Sequence, residues 1–166
     1  MRVGCAEGLD YCRGPLPRMK RGHSPIGQPL PMDATALQAI LAELGAEYVT
    51  RLGLRVEEAG EGRVVLTLPV APGLVHGGGV LCGQAILAAA DTAMLLAMIS
   101  QLGEFRPMTT VQLQTSFVRP VPKGVAAVTV TARVLRHGKS LSYGDVEFRT
   151  PDGKLAAHAT TTYALL

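Results

Sequence analysis

The 166 residues suffice for one domain and are too few for two well-cored ones. Hydrophobic residues make up 48% and charged residues 17%, so a sizeable core can form, and a net charge of +3 is too weak for a nucleic-acid-binding surface. The three cysteines, Cys5, Cys12 and Cys82, make no disulfide framework and have no zinc-ligand spacing with histidine, so a reducing cytoplasmic setting without a metal is expected. The chain contains no asparagine, which excludes N-glycosylation.

Residues 1–31 hold Pro15, Pro17, Pro25, Pro29 and Pro31, a cluster of basic residues and no hydrophobic period. They read as a poorly ordered extension with no apolar run long enough for a signal peptide, and Met19 and Met32 are alternative starts. The domain is expected over 32–166. Asp33 reads as a helix cap, followed by Leu37, Ile40, Leu41 and Leu44 at helical spacing, with Gly45 ending or weakening the helix. Two runs, Leu54 to Glu58 and Arg63 to Pro69, flank Gly60-Glu61-Gly62 and predict a hairpin.

A glycine-rich loop, Ala71 to Gly79, leads into Val80–Leu102, which has the length of a membrane span. Gln84, Asp91 and Thr92 interrupt it, and a carboxylate is costly in lipid. It reads instead as a helix wrapped on all sides by its own protein and closed at Gly103. After Pro107 a period of two begins, with Val111, Leu113 and Phe117 expected on one face and Thr110, Gln112, Gln114 and Ser116 on the other. Strands are expected over Val125 to Leu135, Leu141 to Phe148 and Leu155 to Tyr163, separated by turn-forming sequences. The order is helix, two strands, long helix, four strands. An α+β domain follows, in which an antiparallel sheet of about six strands curls around the long helix. Sheet edges left open favour association into an oligomer.

Asp91 is the first candidate for chemistry. A carboxylate within LCGQAILAAADTAMLLAMIS is expensive to bury, and no Lys or Arg lies within a turn of it on that helix. Gln84, two turns earlier, shares its face, which points either to a cleft or to a bond with a strand backbone. Gly83 opens the helix, where free N–H groups and the positive dipole end can polarise a carbonyl. Cys82 stands beside it, as a small buried residue rather than a nucleophile, because its nearest potential base is His76 in the same loop. His76-Gly77-Gly78-Gly79 matches neither phosphate-binding fingerprint. His137 reads as a turn residue and His158 as a strand residue.

Together these residues resemble the hotdog-fold acyl-CoA thioesterases of the phenylacetic-acid-pathway type, within the 4-hydroxybenzoyl-CoA thioesterase-like superfamily. The resemblance covers about Ala46 to Leu166. Its strongest segment is Cys82 to Met94, similar to a His-Gly-Gly-(six residues)-Asp-Thr-Ala pattern, with further similarity over Thr109 to Pro120 and in the turn Arg136-His137-Gly138-Lys139. One departure stands out: Cys82 occupies the position of the family histidine, and His76 falls six residues earlier, where Asn or Gln is usual.

The resemblance implies a thioester hydrolase. Asp91 would be its general base or nucleophile, and the Gly83 N–H would polarise the thioester carbonyl. His76 would orient substrate or water from a neighbouring subunit, and Thr110 would help hold the attacking water. Cys82, Gln84 and Leu95 would meet the substrate, with Leu87, Met94 and Met98 as further apolar lining. Arg136 and Lys139 would meet the phosphates of coenzyme A. It also implies a homodimer or homotetramer with sites between subunits and no cofactor beyond CoA as part of the substrate, since water and a carboxylate suffice. No nucleic acid and no membrane partner are expected. A non-catalytic acyl-CoA sensor and a hydroxyacyl thioester dehydratase are the alternatives. The first lacks a DNA-binding segment here, and the second needs a differently placed histidine.

Overall fold

The computed structural model describes residues 32–166. The expected N-terminal extension, with Cys5 and Cys12, lies outside the described residues. Helix α1 (Ala34–Leu44) starts where Asp33 accepts the Ala36 N–H at 2.8 Å and stops at Gly45, whose N–H bonds to the Leu41 carbonyl. A short turn of helix, α2 (Glu47–Thr50), follows. Strands β1 (Arg55–Gly60) and β2 (Arg63–Pro69) form the expected hairpin. Its two-residue connection places Glu61 and Gly62 at φ 21° and 81°.

The long helix, α3 (Gly83–Leu102), ends at Gly103, whose φ of 71° is the left-handed conformation that closes helices. Strands β3 (Met108–Phe117), β4 (Ala127–His137), β5 (Leu141–Arg149) and β6 (Leu155–Leu165) complete one six-stranded antiparallel sheet. The strand order is β1-β2-β4-β5-β6-β3, so β1 and β3 are the edges. The sheet curls so far that all six strands touch α3.

Small residues permit that close wrap. Ala85, Ala89, Ala90, Ala93 and Ala97 are essentially inaccessible, as are Leu96, Met98 and Ile99 between them. Each large aliphatic side chain buried this way contributes roughly 1.5–3 kcal/mol. Gly144 on β5 receives the Met94 side chain, and any Cβ there would collide with its thioether. α3 has the length and mean hydropathy (1.7) of a membrane span, and 67% of that stretch is buried within the domain.

Two expectations need correction. α3 is not covered all round: Gln84 and Leu87 are exposed, and Ala88, Asp91 and Leu95 are half-buried, in one stripe along it. The sheet covers its other sides and leaves that one open. Secondly, the alternation in β3 changes phase. A bulge between Thr110 and Gln112 leaves Val111 unpaired and 60% exposed. Thr110 therefore faces the helix together with Leu113, Thr115 and Phe117, while Gln112, Gln114 and Ser116 face outward. A strict period of two placed Thr110 on the polar face, and the extra residue reverses it.

Candidate active site

Asp91 lies midway along α3, half-buried, on the open stripe. Its partners are hydroxyls. Thr110 donates to Oδ1 at 2.6 Å, and the Tyr163 phenol donates to the same oxygen at 2.7 Å while standing 2.9 Å from the Asp91 carbonyl. Thr110 and Tyr163 are directly opposed across β3 and β6, so the register alone brings the two donors together. Oδ2 has no hydrogen-bond partner among the described residues. No cation pairs with Asp91 among them either. Tyr163 is only 3% exposed. Burial, and secondarily the negative charge of Asp91, push its pKa far above the usual phenol range, although its contact with Thr110 works the other way. The phenol is thus a permanent donor at neutral pH.

The second feature lies at the N-terminus of α3. A cleft of about 350 Å³ is lined by His76, Gly83, Ile86, Phe117, Arg119 and Val121 among others. The N–H groups of Gly83 and Gln84 have no acceptor among the described residues, as the first turn of a helix requires unless something caps it. Phe117 lies over the glycine: a Cβ on Gly83 would come within 3.2 Å of its ring. Arg119 brings a guanidinium to the cleft and is steadied by a 2.8 Å bond to the Leu155 carbonyl.

The expected site residues divide between these places. Asp91 and Thr110 are in contact, and Gly83 and His76 share the cleft. His76 is exposed and folded onto its own turn, where Nδ1 accepts the Gly78 N–H at 2.9 Å. Cys82 is the half-buried residue that precedes α3; its side chain makes no capping bond and does not line the cleft. Gln84 is exposed and Leu95 half-buried, both on the Asp91 stripe. Met94 and Met98, expected as lining, are wholly buried in the core instead, because the sheet side of α3 faces inward there. Arg136 and Lys139 stand exposed at the β4–β5 turn and do not line the cleft. His137 is bonded to Ser142 at 2.8 Å, and His158 lies 3.4 Å from Asp145 on the outer face.

Sequence reasoning missed Tyr163, Phe117 and Arg119 as site residues. The inner parity of Tyr163 was legible from the run Ala157, Ala159, Thr161, but its pairing with Thr110 was not. Thr115, also on the inner face of β3, has a buried hydroxyl with no partner among the described residues.

A six-stranded antiparallel sheet curled about one long helix, with an acid on the helix and free N–H groups at its start, is the hotdog fold of acyl-thioester enzymes. A family model described as the thioesterase superfamily matches residues 73–157, and the chain belongs to that superfamily. An esterase candidate of Saccharolobus solfataricus is 31% identical over 69% of this chain and 80% of its own. The crystal structure of a thioesterase from Haemophilus influenzae superposes with a TM-score of 0.70 at 25% identity, covering 78% of this chain and 90% of that one. The Escherichia coli protein of the phenylacetic acid degradation operon shares the fold (TM-score 0.68, 24% identity, 77% and 90% covered).

Proposed function

We propose that the protein hydrolyses acyl-CoA, or a closely related acyl thioester, to a free acid and a thiol, with Asp91 as the working carboxylate. The observation that carries this reading is the anchoring of Asp91. Two neutral donors converge on Oδ1 and leave Oδ2 free to act. Oδ2 is not among the buried oxygens that lack a partner, so water and substrate can reach it on the open stripe of α3.

Gly83 and Asp91 lie eight residues apart, about 12 Å along a helix. A single thioester carbonyl cannot sit within about 3 Å of both groups of one chain. The reading therefore requires two copies, with the Gly83 end of one supplying the N–H to a carbonyl that the other copy's Asp91 attacks. The open stripe on α3 and the edge strand β3, which flank Asp91, are suited to such a partner, so we place the site at the interface of a homodimer or a tetramer built from it.

In the hydrolytic step, Asp91 Oδ2 takes a proton from water as the water oxygen bonds to the thioester carbon. The carbonyl electrons move onto the oxygen, which the Gly83 N–H stabilises. Collapse of this oxyanion breaks the C–S bond, and the departing thiolate recovers the proton from Oδ2. In the covalent form of the same chemistry, Oδ2 attacks the thioester carbon and the C–S bond breaks to give an acyl anhydride and the thiolate; water then hydrolyses the anhydride, restoring Asp91, and the proton that it releases goes to the thiolate. His76 and Arg119 line the cleft through which the thiol moiety would run, and Gln84, Leu87 and Leu95 border Asp91. Arg136 and Lys139, at the exposed β4–β5 turn and outside the cleft, would meet CoA phosphates only if the partner brings them near. A cytoplasmic location goes with this reading.

The test is thiol release by purified protein from a panel of aryl and aliphatic acyl-CoAs, with Asp91→Asn in parallel. Turnover that collapses in the variant, with its fold retained, supports the proposal. Absence of turnover on every member of the panel, by a folded wild-type protein that still binds CoA esters, would overturn it in favour of a sensor.

A further inference from the structure

We infer that Tyr163 is a positioning residue for Asp91: its phenol fixes which carboxylate oxygen faces the substrate. The inference rests on the hydrolase reading above but concerns a residue to which neither the motif nor the resemblance gave a role.

A phenol has one proton to donate. The Tyr163 oxygen stands 2.7 Å from Oδ1 and 2.9 Å from the main-chain carbonyl of the same residue. It therefore touches Asp91 at both the side chain and the backbone, and an ionised Oδ1 draws the proton more strongly than a neutral carbonyl. Thr110 takes the second acceptor position on Oδ1 at 2.6 Å. With two donors on it, Oδ1 has no room for a proton of its own or for a bond to water. The rotamer is pinned, and Oδ2 is the oxygen left to face the substrate.

Tyr163 can hold this position because of where it lies. It sits in β6, an interior strand between β5 and the edge strand β3, opposite Ser142 on one side and Thr110 on the other. Its ring is buried, and its pKa is displaced upward, so it neither ionises nor swings into water at physiological pH. No Lys, Arg, His, Asp or Glu side chain is bonded to Asp91 from α3, β3 or β6 among the described residues, so the two hydroxyls are its whole local stabilisation. Removing either one frees the rotation of the carboxylate.

The test compares wild type, Tyr163→Phe and Asp91→Asn. Phe keeps the buried ring, and thermal unfolding checks that the fold survives. The kcat of Tyr163→Phe is expected to fall by about tenfold to a hundredfold, the range for one hydrogen bond to a charged group, with KM within about twofold. The ¹³C NMR resonance of the Asp91 carboxyl should shift in Tyr163→Phe, and this reading needs no substrate. An unchanged kcat and an unmoved resonance in Tyr163→Phe would overturn this inference, and wild type that loses activity in Asp91→Asn would leave the hydrolase reading standing. A loss of kcat matched by a lowered melting temperature, with the carboxyl resonance unmoved, would also overturn it, since that is the mark of a structural role alone. Wild type without thiol release would sink the hydrolase reading, while the carboxyl resonance would still decide whether Tyr163 holds Asp91.

Discussion

The ring of Phe117 lies against Gly83, so that the end of the edge strand β3 overhangs the start of α3 where two N–H groups lack acceptors. The absence of a Cβ at Gly83 lets the ring sit at this distance and leaves an approach to the helix terminus. Gly83→Ala would place a methyl 3.2 Å from a side chain that is 55% exposed and free to yield. Stability should change by no more than about 1 kcal/mol, whereas kcat/KM should fall about tenfold or more as the methyl blocks the polarising N–H. Parallel calorimetry and steady-state kinetics check this, and equal losses in both would contradict it.

Thr110→Val keeps the shape of the side chain and removes one donor from Asp91 Oδ1. A roughly tenfold loss of kcat is expected, with Thr110→Ser close to wild type because the hydroxyl is kept. A serine variant as impaired as the valine variant would show that the methyl, not the hydroxyl, matters.

The two-copy site proposed for this protein predicts complementation. Asp91→Asn and Gly83→Val should each be inactive alone. After unfolding and co-refolding, half the dimers are mixed, and one of the two sites in each has both working halves. About a quarter of wild-type activity should return. No recovery, with mixed dimers demonstrated by tagged subunits, would place both groups of the site in one chain.

Tyr163 also sets a pH limit on stability. Its folded pKa lies above the model-compound value of 10.0, so the folded state holds the phenolic proton more tightly than the unfolded state. The resulting stability is fully present below about pH 10 and is lost as pH rises beyond it, by up to about 1.4 kcal/mol per pH unit. Urea denaturation between pH 9 and 11.5 should show a steeper decline for wild type than for Tyr163→Phe; parallel curves would refute the assignment.

Gly144 tests the core. An added methyl would meet the Met94 side chain and stand 2.5 Å from the Arg133 carbonyl, which belongs to the neighbouring strand and cannot yield as a side chain would. Gly144→Ala should cost about 3 kcal/mol in denaturant melts, and shortening Met94 should recover only part of that. Full recovery would mean that the backbone contact is immaterial.

Much of this protein is determined by local chemistry and is therefore legible in its sequence. Asp33 caps α1, Gly83 and Gly103 bound α3, and turn residues separate the strands, because each depends on a few neighbouring residues. The isolation of Asp91 within an apolar helix was likewise visible, since burial of a charge needs a reason wherever the partner lies. Tertiary structure alone decided who that partner is. Tyr163 stands 72 residues from Asp91 in the chain and reaches it only through the register of β6 against β3. The bulge at Val111 alone turns Thr110 toward the helix; a strict alternation sends it outward. The shared face of Gln84 and Asp91 pointed to a cleft, but the extent of the open stripe through Leu87, Ala88 and Leu95 was hidden, because hydrophobicity says that a face wants cover but not whether its own sheet or another molecule provides it. Register, bulges and coverage are properties of many residues packing at once, so the acid was readable from the sequence and Thr110 was implied by the resemblance, whereas Tyr163 and the bond of both donors to one oxygen were not.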